Sequence, residues 1–187
     1  NSGWDKTSLN FYDARTGRRK RTHNLGRKPS CFALLADGQS MVYGFGATLE
    51  APDNVGLWNC QSGTNIGTYA LEGTNIRKIA TCANTGVVLV QTFSQLFGID
   101  PYSGRIIAQY ARKTVEPNAF ALSPDGTRFA VGSSEGTTAI YQVEDGSLVK
   151  TLGTHSGPVI CIAYSPDNSY VVSGSSDKTL RVWRIAE

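Results

Sequence analysis

A short turn motif recurs along this chain about every 42 residues, and this periodicity limits the folds open to it. The motif reads YDARTG at 12–17, WNCQSG at 58–63, IDPYSG at 99–104 and YQVEDG at 141–146, and Trp183 opens a fifth copy. Its first positions are separated by 46, 41, 42 and 42 residues. A second turn signal ends at Gly38, Gly86, Gly126 and Asn168, with intervals of 48, 40 and 42 residues. Such repeats indicate units that stack, because no unit buries its apolar surface alone.

Each repeat has the composition of four short β-strands. Apolar stretches rich in β-branched and aromatic residues flank both turn signals and are bounded by Gly, Asp, Asn and Ser. No apolar stripe with a helical period continues over about a dozen residues, so we expect almost no helix. Four antiparallel strands in about 42 residues are typical of one blade of a β-propeller.

Counting these strands predicts an all-β chain that forms part of a propeller of about four blades. It would hold the third and fourth strands of a split blade, three complete blades, and a last blade that lacks its outer strand. The corresponding ranges are 1–28, 29–72, 73–113, 114–153 and 154–187. The alternative is a small closed ring, in which residues 18–25 supply the missing outer strand beside Trp183. An open end would expose strand edges and apolar faces, which native proteins avoid.

The last repeat, GTHSGPVICIAYSPDNSYVVSGSSDKTLRVWRI, resembles a WD40 repeat. His155 stands for the signature histidine of that family, and SPDN, SGSSDKTLRVW and the closing tryptophan match its pattern. The resemblance covers the whole chain by period, but it is specific only in residues 153–185. It implies a seven-bladed propeller, of which this chain would be one part.

The resemblance also implies a structural role for a His, Ser, Asp and Trp set that could be mistaken for a catalytic triad. In WD40 blades these side chains form a hydrogen-bonded chain, which maps here onto His155, Ser173, Asp177 and Trp183. Buried polar groups cost little free energy only when all of them are paired. The alternative is a hydrolytic site, which needs an exposed nucleophile and an oxyanion hole. The stretch SGSSD is no nucleophile elbow, so we expect the structural role and no catalytic residue.

The first repeat carries a concentration of positive charge. Residues 1–28 hold eight Lys or Arg against two Asp, whereas residues 29–187 hold ten against thirteen acids. The candidate partner-binding residues of this segment are Arg15, Arg18, Arg19, Lys20 and Arg21, and Arg27 and Lys28 follow them. They fall on the turn and outer strand of the split blade. Charged protection of a strand edge is one interpretation, and a surface for an acidic partner is the other.

A second candidate binding surface is the stretch GATLEAPDN at 46–54, which is five residues longer than the last repeat requires. Loops on a rigid scaffold are frequent binding sites. Its candidate residues are Leu49, Glu50, Pro52 and Asp53, on the face that also bears residues 153–157. Drift in loop length without any function is the alternative.

The cysteines and histidines offer little for metal or redox chemistry. Cys31, Cys60, Cys82 and Cys161 lack zinc-site spacing, and we expect a reduced compartment. Cys31 and Cys161 occupy the same repeat position as Ala119, so we expect them to pack in the core near the axis. We expect His23 on the surface. No metal or cofactor is predicted.

The function that these features favour is a non-catalytic protein–protein interaction scaffold in an intracellular multiprotein assembly. Ciliary or microtubule-associated assemblies would suit the basic strand, because their partner surfaces are acidic. The alternatives are a nucleic-acid or ribosome-associated binding module that uses residues 15–28, and a propeller enzyme similar to quinoproteins, which the turn GIDPYSGRIIAQY resembles. The partners would be acidic proteins and the rest of the propeller, and the apolar runs are too short to cross a membrane. We expect a cytoplasmic or cytoskeletal location, with the nucleus as the alternative.

Overall fold

A computed structural model describes residues 7–25, 28–45, 54–71, 75–82, 85–92, 95–110 and 117–185. These residues form seventeen β-strands and no helix, as the periodicity predicts. Consequently no helix that could cross a membrane occurs in the described ranges.

The strands form five antiparallel sheets in chain order. Sheet 1 contains β1 (Ser8–Tyr12) and β2 (Arg19–Asn24); sheet 2 contains β3 (Cys31–Leu34), β4 (Ser40–Gly44), β5 (Val55–Asn59) and β6 (Thr64–Tyr69). Sheet 3 contains β7 (Lys78–Thr81), β8 (Val88–Gln91), β9 (Leu96–Ile99) and β10 (Ile106–Tyr110). Sheet 4 contains β11 (Pro117–Leu122), β12 (Arg128–Ser133), β13 (Thr137–Gln142) and β14 (Leu148–Thr154); sheet 5 contains β15 (Val159–Tyr164), β16 (Tyr170–Ser175) and β17 (Leu180–Arg184).

The sheets stack as propeller blades, because the first strands of neighbouring sheets contact each other. Strand β3 contacts β7, β7 contacts β11, and β11 contacts β15. The fourth strands β6, β10 and β14 lie at the opposite edge of their sheets. In the described residues β2 pairs with β1 and with no strand of sheet 5, so the alternative of a small ring closed by residues 18–25 is wrong.

The repeated landmark residues occupy equivalent places in successive sheets. Each lies on a strand of the same type, and in sheets 2–5 each pairs with a residue of the preceding strand: Trp58 with Met41, Ile99 with Val88, Tyr141 with Phe129, and Trp183 with Val171. Tyr12 takes this place on β1, where a shift in register separates it from Phe11. The same shift separates Leu57 from Trp58 and Ile140 from Tyr141. The sequence period is therefore also a period of strand pairing.

The second turn signal depends on a backbone conformation that favours glycine. Gly38, Gly86 and Gly126 have φ of 64°, 68° and 71°, in the left-handed region. Asn168 takes this place in the last repeat with φ of 60°. Asparagine tolerates this region better than other residues with a Cβ, so SPDN forms the same turn as SPDG.

The hydrophobic core consists of four layers, and each layer lies between two neighbouring sheets. Sheets 2 and 3 share the largest, in which Val42 and Leu57 face Val88, Phe97 and Ile99. The other layers join sheets 1 and 2, sheets 3 and 4, and sheets 4 and 5. Every residue along β4, β8 and β9 is buried, because a sheet that packs between two neighbouring sheets has both of its faces shielded from water.

An aromatic ring near the end of the outer strand links each of the first three sheets to the next. Tyr69 donates a hydrogen bond to the carbonyl of Tyr102 at 2.8 Å, and Tyr110 donates one to the carbonyl of Val143. Their rings fill the space beside Gly104 and Gly146, where no Cβ would fit.

His23 takes the corresponding place against Gly63. Its ring is half-buried and meets Phe11 and Trp58 at centroid distances of 5.7 and 6.5 Å. The expectation that His23 lies on the surface is therefore wrong. The histidine is the first member of this series of inter-blade contacts.

The apolar layers generate a prediction with a matched control in the repeat. Ile140 on sheet 4 and Val182 on sheet 5 occupy the same repeat position, but their exposed fractions are 2% and 65%. We expect Ile140→Ala to lower the free energy of unfolding by about 2–5 kcal/mol, because it opens a cavity between sheets. Val182→Ala should cost less than about 1 kcal/mol. Urea unfolding measures both, and equal losses would contradict the layered core.

Candidate functional site

The polar set of the last repeat is assembled from three segments of chain. His155 lies in the connection between β14 and β15, Ser173 lies on β16, and Trp183 lies on β17. Asp177 lies in the turn that joins β16 to β17. The backbone N–H of His155 donates to the carbonyl of Gly136 at 2.9 Å, which ties this connection to sheet 4. The structure brings all four residues together.

The side chains form a continuous chain of hydrogen bonds. Trp183 Nε1 lies 2.9 Å from Ser173 Oγ, and that oxygen lies 2.8 Å from His155 Nε2. His155 Nδ1 lies 3.1 Å from Asp177 Oδ2. The exposed fractions of the Ser173 and His155 residues are 0% and 4%. The hydrogen bonds therefore link the third strand of sheet 5 to the loop before its first strand.

The donors and acceptors fix the direction of each hydrogen bond. An indole N–H can only donate, so Ser173 Oγ accepts from Trp183. The hydroxyl proton is then available to His155 Nε2, which leaves the Nδ1 proton for Asp177. A neutral imidazole with its proton on Nδ1 therefore satisfies every partner.

Thr179 belongs to this network as well, although the sequence interpretation did not include it. Its hydroxyl donates to Asp177 Oδ1 at 2.6 Å and lies 3.1 Å from His155 Nδ1. The pKa of Asp177 lies well below its usual range, because its carboxylate accepts hydrogen bonds from the hydroxyl and the backbone N–H of Thr179. The N–H of Ser156 and the imidazole of His155 lower it further. The stretch DKT was the signal that could have identified it.

This geometry does not fit a hydrolytic triad. A nucleophile must be reachable by substrate, whereas Ser173 is fully buried and its oxygen already accepts from Trp183. The arrangement instead joins two loops and two strands of one blade.

The basic residues of the first repeat that the structure describes are exposed, but they differ in their contacts. Lys20 forms an ion pair with Asp13 at 2.9 Å, and Arg21 Nη1 donates to the carbonyl of Gln61 at 2.7 Å. Arg15, Arg18 and Arg19 form no side-chain ion pair with any residue in the described part of the chain. Arg27 lies outside the described residues. We call Arg15, Arg18 and Arg19 the open arginines.

The candidate residues of the second binding surface lie outside the described structure. Leu49, Glu50, Pro52 and Asp53 all lie within 46–53, which is outside the described residues.

The cysteines correct one expectation about the core. Cys60 and Cys82 are buried and Cys31 is partly buried, but Cys161 is exposed. Cys161 pairs with Gly174 on the face of sheet 5 that no described sheet covers, whereas Ala119 at the same repeat position is buried. The expectation of core packing is therefore wrong for Cys161. Within the described ranges no group of His, Cys, Asp and Glu could hold a metal ion.

The network predicts that Ser173 contributes to stability. Ser173→Ala would leave the Trp183 N–H and His155 Nε2 without their buried partner, so we expect a loss of about 1–3 kcal/mol in the free energy of unfolding. Ser176→Ala, which removes an exposed hydroxyl nearby, should change it by less than about 0.5 kcal/mol. Urea unfolding measures both. A Ser173→Ala variant as stable as the Ser176→Ala variant would show that the network is dispensable.

The turn aspartates predict a loss of stability in acid. All seven aspartates of the described residues have a pKa below the ordinary value, and hydrogen bonds from Ser165 and the Ser169 N–H lower that of Asp167 from 3.8 to about 2. A carboxylate whose pKa is lower in the folded chain stabilises it fully above the unfolded pKa. We therefore expect the urea midpoint to fall between about pH 4 and about pH 2, and to fall less in Asp167→Asn. A midpoint that stays constant over this range would contradict the shifts.

Comparison with known proteins finds a family match over the last repeat. A family model described as "WD domain, G-beta repeat" matches residues 146–184, which include the whole network. WD repeat and HMG-box DNA-binding protein 1 of Xenopus laevis is 32% identical over 110 residues, which is 59% of this chain and 9% of that protein. WD repeat-containing protein 1 of Gallus gallus is 41% identical over 71 residues, which is 36% of this chain and 12% of that protein. The chain thus spans about a tenth of the length of these relatives.

A solved structure shows the same fold. The crystal structure of the computationally designed Ika4 protein matches with a TM-score of 0.70 and 17% sequence identity, over 86% of this chain and 92% of that one. The stacked sheets show a β-propeller fold, and the family match together with the network shows that residues 146–184 form a WD40 repeat.

Proposed function

We propose that the chain is a non-catalytic scaffold that binds an acidic protein partner through the basic surface of sheet 1. The observation that carries this proposal is the set of open arginines on the turn and outer strand of that sheet. The described residues 7–25 hold five Lys or Arg against Asp13 alone. Lys20 neutralises that aspartate, so the rest of the surface keeps its positive charge. Such a surface attracts acidic partners at a distance of about one Debye length.

The packing of sheet 1 on sheet 2 supports a binding role for these residues. Sheet 1 packs on sheet 2 through Phe11 and Leu25, which contact Trp58 and Tyr43 in one apolar layer. A surface that is already ordered loses little conformational entropy on binding. The charges alone would also protect a strand edge, but Arg15 and Arg18 precede β2 and form no ion pair with a described residue, which edge protection does not require.

Nucleic acid is the second candidate ligand, and one observation favours it. Tyr12 is 61% exposed and pairs with Arg19 on the neighbouring strand, so an aromatic ring accompanies the positive charge. Aromatic rings beside arginine stack on bases in single-stranded nucleic acids. A relative whose name includes a DNA-binding HMG box is 32% identical over 110 residues of this chain.

We propose an intracellular setting for this function, in which acidic proteins and the rest of a propeller are the partners. An intracellular assembly is supported by four cysteines that form no disulfide. A ciliary or microtubule-associated assembly would supply acidic partner surfaces, and the open arginines are what supports it. The rest of a propeller would be a further partner. Leu180 and Val182 support this, since they are 73% and 65% exposed on sheet 5, whereas sheets 2, 3 and 4 have the same face covered by the next sheet.

Charge removal tests the basic surface. A variant with Arg15→Gln, Arg18→Gln and Arg19→Gln should bind poly-glutamate about tenfold more weakly, because each exposed contact contributes up to about 0.5 kcal/mol. Calorimetric titration at about 50 and about 200 mM salt measures this, and binding should weaken at the higher concentration.

The matched control removes three exposed cations elsewhere, with Lys150→Gln, Lys178→Gln and Arg184→Gln. It has the same net charge as the first variant, so it separates a local surface from a general charge effect. Equal loss in both variants would contradict the proposal. Tighter binding of a single-stranded oligonucleotide than of poly-glutamate, with the same dependence on the open arginines, would favour the second candidate.

A further inference from the structure

A cleft opens between sheets 1 and 2, close to the basic surface but separate from the open arginines. Its volume is about 290 Å³. Phe11 and Arg21 line it from sheet 1, and Gly38, Gln39, Cys60 and Gln61 line it from two turns of sheet 2. Pockets for whole small molecules are usually larger, so this cleft suits one side chain or a small anion.

Arg21 is held in place at the wall of this cleft. Its Nη1 donates to the carbonyl of Gln61, and its guanidinium carbon lies 5.8 Å from the centre of the Phe11 ring. A guanidinium has five N–H groups in a planar fork, so the remaining donors can still bind an anion. Because the side chain is already ordered, binding an anion would cost it little entropy.

Asp37, the acid of the neighbouring turn, does not line the cleft, although its charge reaches Cys60, which does. Both oxygens of Asp37 are hydrogen-bonded, Oδ1 to the N–H groups of Gln39 and Ser40, and Oδ2 to the hydroxyl of Tyr102. Tyr102 lies in the turn between β9 and β10 of sheet 3, so Asp37 Oδ2 is engaged by that sheet. Burial and the charge of Asp37 raise the pKa of the Cys60 thiol, so this part of the lining is neutral.

We propose that the cleft receives a carboxylate side chain of an acidic peptide, which Arg21 binds while the peptide crosses the open arginines. The inference rests on the proposed function and adds a specific anchoring position to it. Phe11 would contact the methylene groups of a glutamate side chain, and the amides of Gln39 and Gln61 would supply further donors.

Two single substitutions distinguish the cleft from the surface around it. Arg21→Gln and Arg18→Gln each remove one positive charge, but only Arg21 lines the cleft. The probe is a fluorescein-labelled short peptide of alternating Glu and Gly, and anisotropy measures its binding to the full chain. We expect Arg21→Gln to weaken binding about tenfold or more and Arg18→Gln about twofold. Arg21→Lys, which keeps the charge but not the planar fork, should not restore affinity.

The outcomes separate the two proposals. Equal weakening by Arg21→Gln and Arg18→Gln would overturn the cleft and leave the basic surface standing. Failure of the unaltered chain to bind the peptide would overturn the proposed function, and the anchoring position with it. Preferential binding of a single-stranded oligonucleotide through Arg21 would indicate that the cleft binds phosphate, and would overturn the proposal that it binds a peptide carboxylate. Thermal unfolding of each variant shows that a loss of binding is not a loss of fold.

Alkylation of the cysteines gives a second readout that needs no substitution. Cys60 lines the cleft, whereas Cys161 is exposed on sheet 5 and does not line it. The Cys60 thiol is buried and its pKa is raised, so its modification by N-ethylmaleimide is slow and must be followed over a long time course. We expect saturating peptide to slow this modification a further several-fold and to leave that of Cys161 unchanged, as peptide mass mapping would show. Unchanged modification of Cys60 at a peptide concentration that saturates anisotropy would overturn occupation of the cleft.

Discussion

The structure depends on the burial of apolar surface between neighbouring sheets. A fully buried aliphatic side chain contributes about 1.5–3 kcal/mol, and every sheet from 2 to 4 places such residues on both of its faces. In sheet 2, Met41 and Tyr43 face sheet 1, while Val42 faces sheet 3. A sheet of this kind cannot be stable alone, because one of its faces would always remain in water. The repeat period, the buried middle strands and the exposed face of sheet 5 all follow from this constraint.

The sheets differ at one position of the second strand, two residues after the residue that pairs with the landmark residue. Ser173 in sheet 5 corresponds to Tyr43, Val90 and Val131 in sheets 2, 3 and 4, which are buried and apolar or aromatic. Sheet 5 therefore has a hydroxyl that links Trp183 to His155 where the other sheets have an apolar or aromatic side chain. Trp58 shows the consequence, because its buried indole Nε1 has no hydrogen-bond partner among the described residues, whereas that of Trp183 bonds to Ser173. The family pattern is thus strongest in the blade where polar groups are paired.

The sequence was sufficient to predict the architecture, because turn glycines and landmark residues are local signals that repeat. It did not predict contacts that depend on the next blade. Tyr69 and Tyr110 stand near the ends of exposed strands, and only the neighbouring turn glycine shows that their rings are needed there. His23 was misplaced for the same reason. The prediction for Cys161 was wrong in the opposite direction: it was expected to be buried and is exposed, because its repeat position is buried only where a following sheet covers it. Local patterns identify strands, whereas burial depends on what each sheet is packed against.

The polar network and the basic surface lie at opposite ends of the described sheets, and this separation has a physical consequence. The network stabilises sheet 5 through groups that are buried and paired, so any change in their charge is costly. The open arginines stand on sheet 1, where exposed charges contribute little to folding. The exposed arginines can therefore change without unfolding the chain, whereas the buried network residues cannot. A repeat scaffold therefore permits a binding surface to vary on one blade while another blade keeps the pairing that maintains its shape.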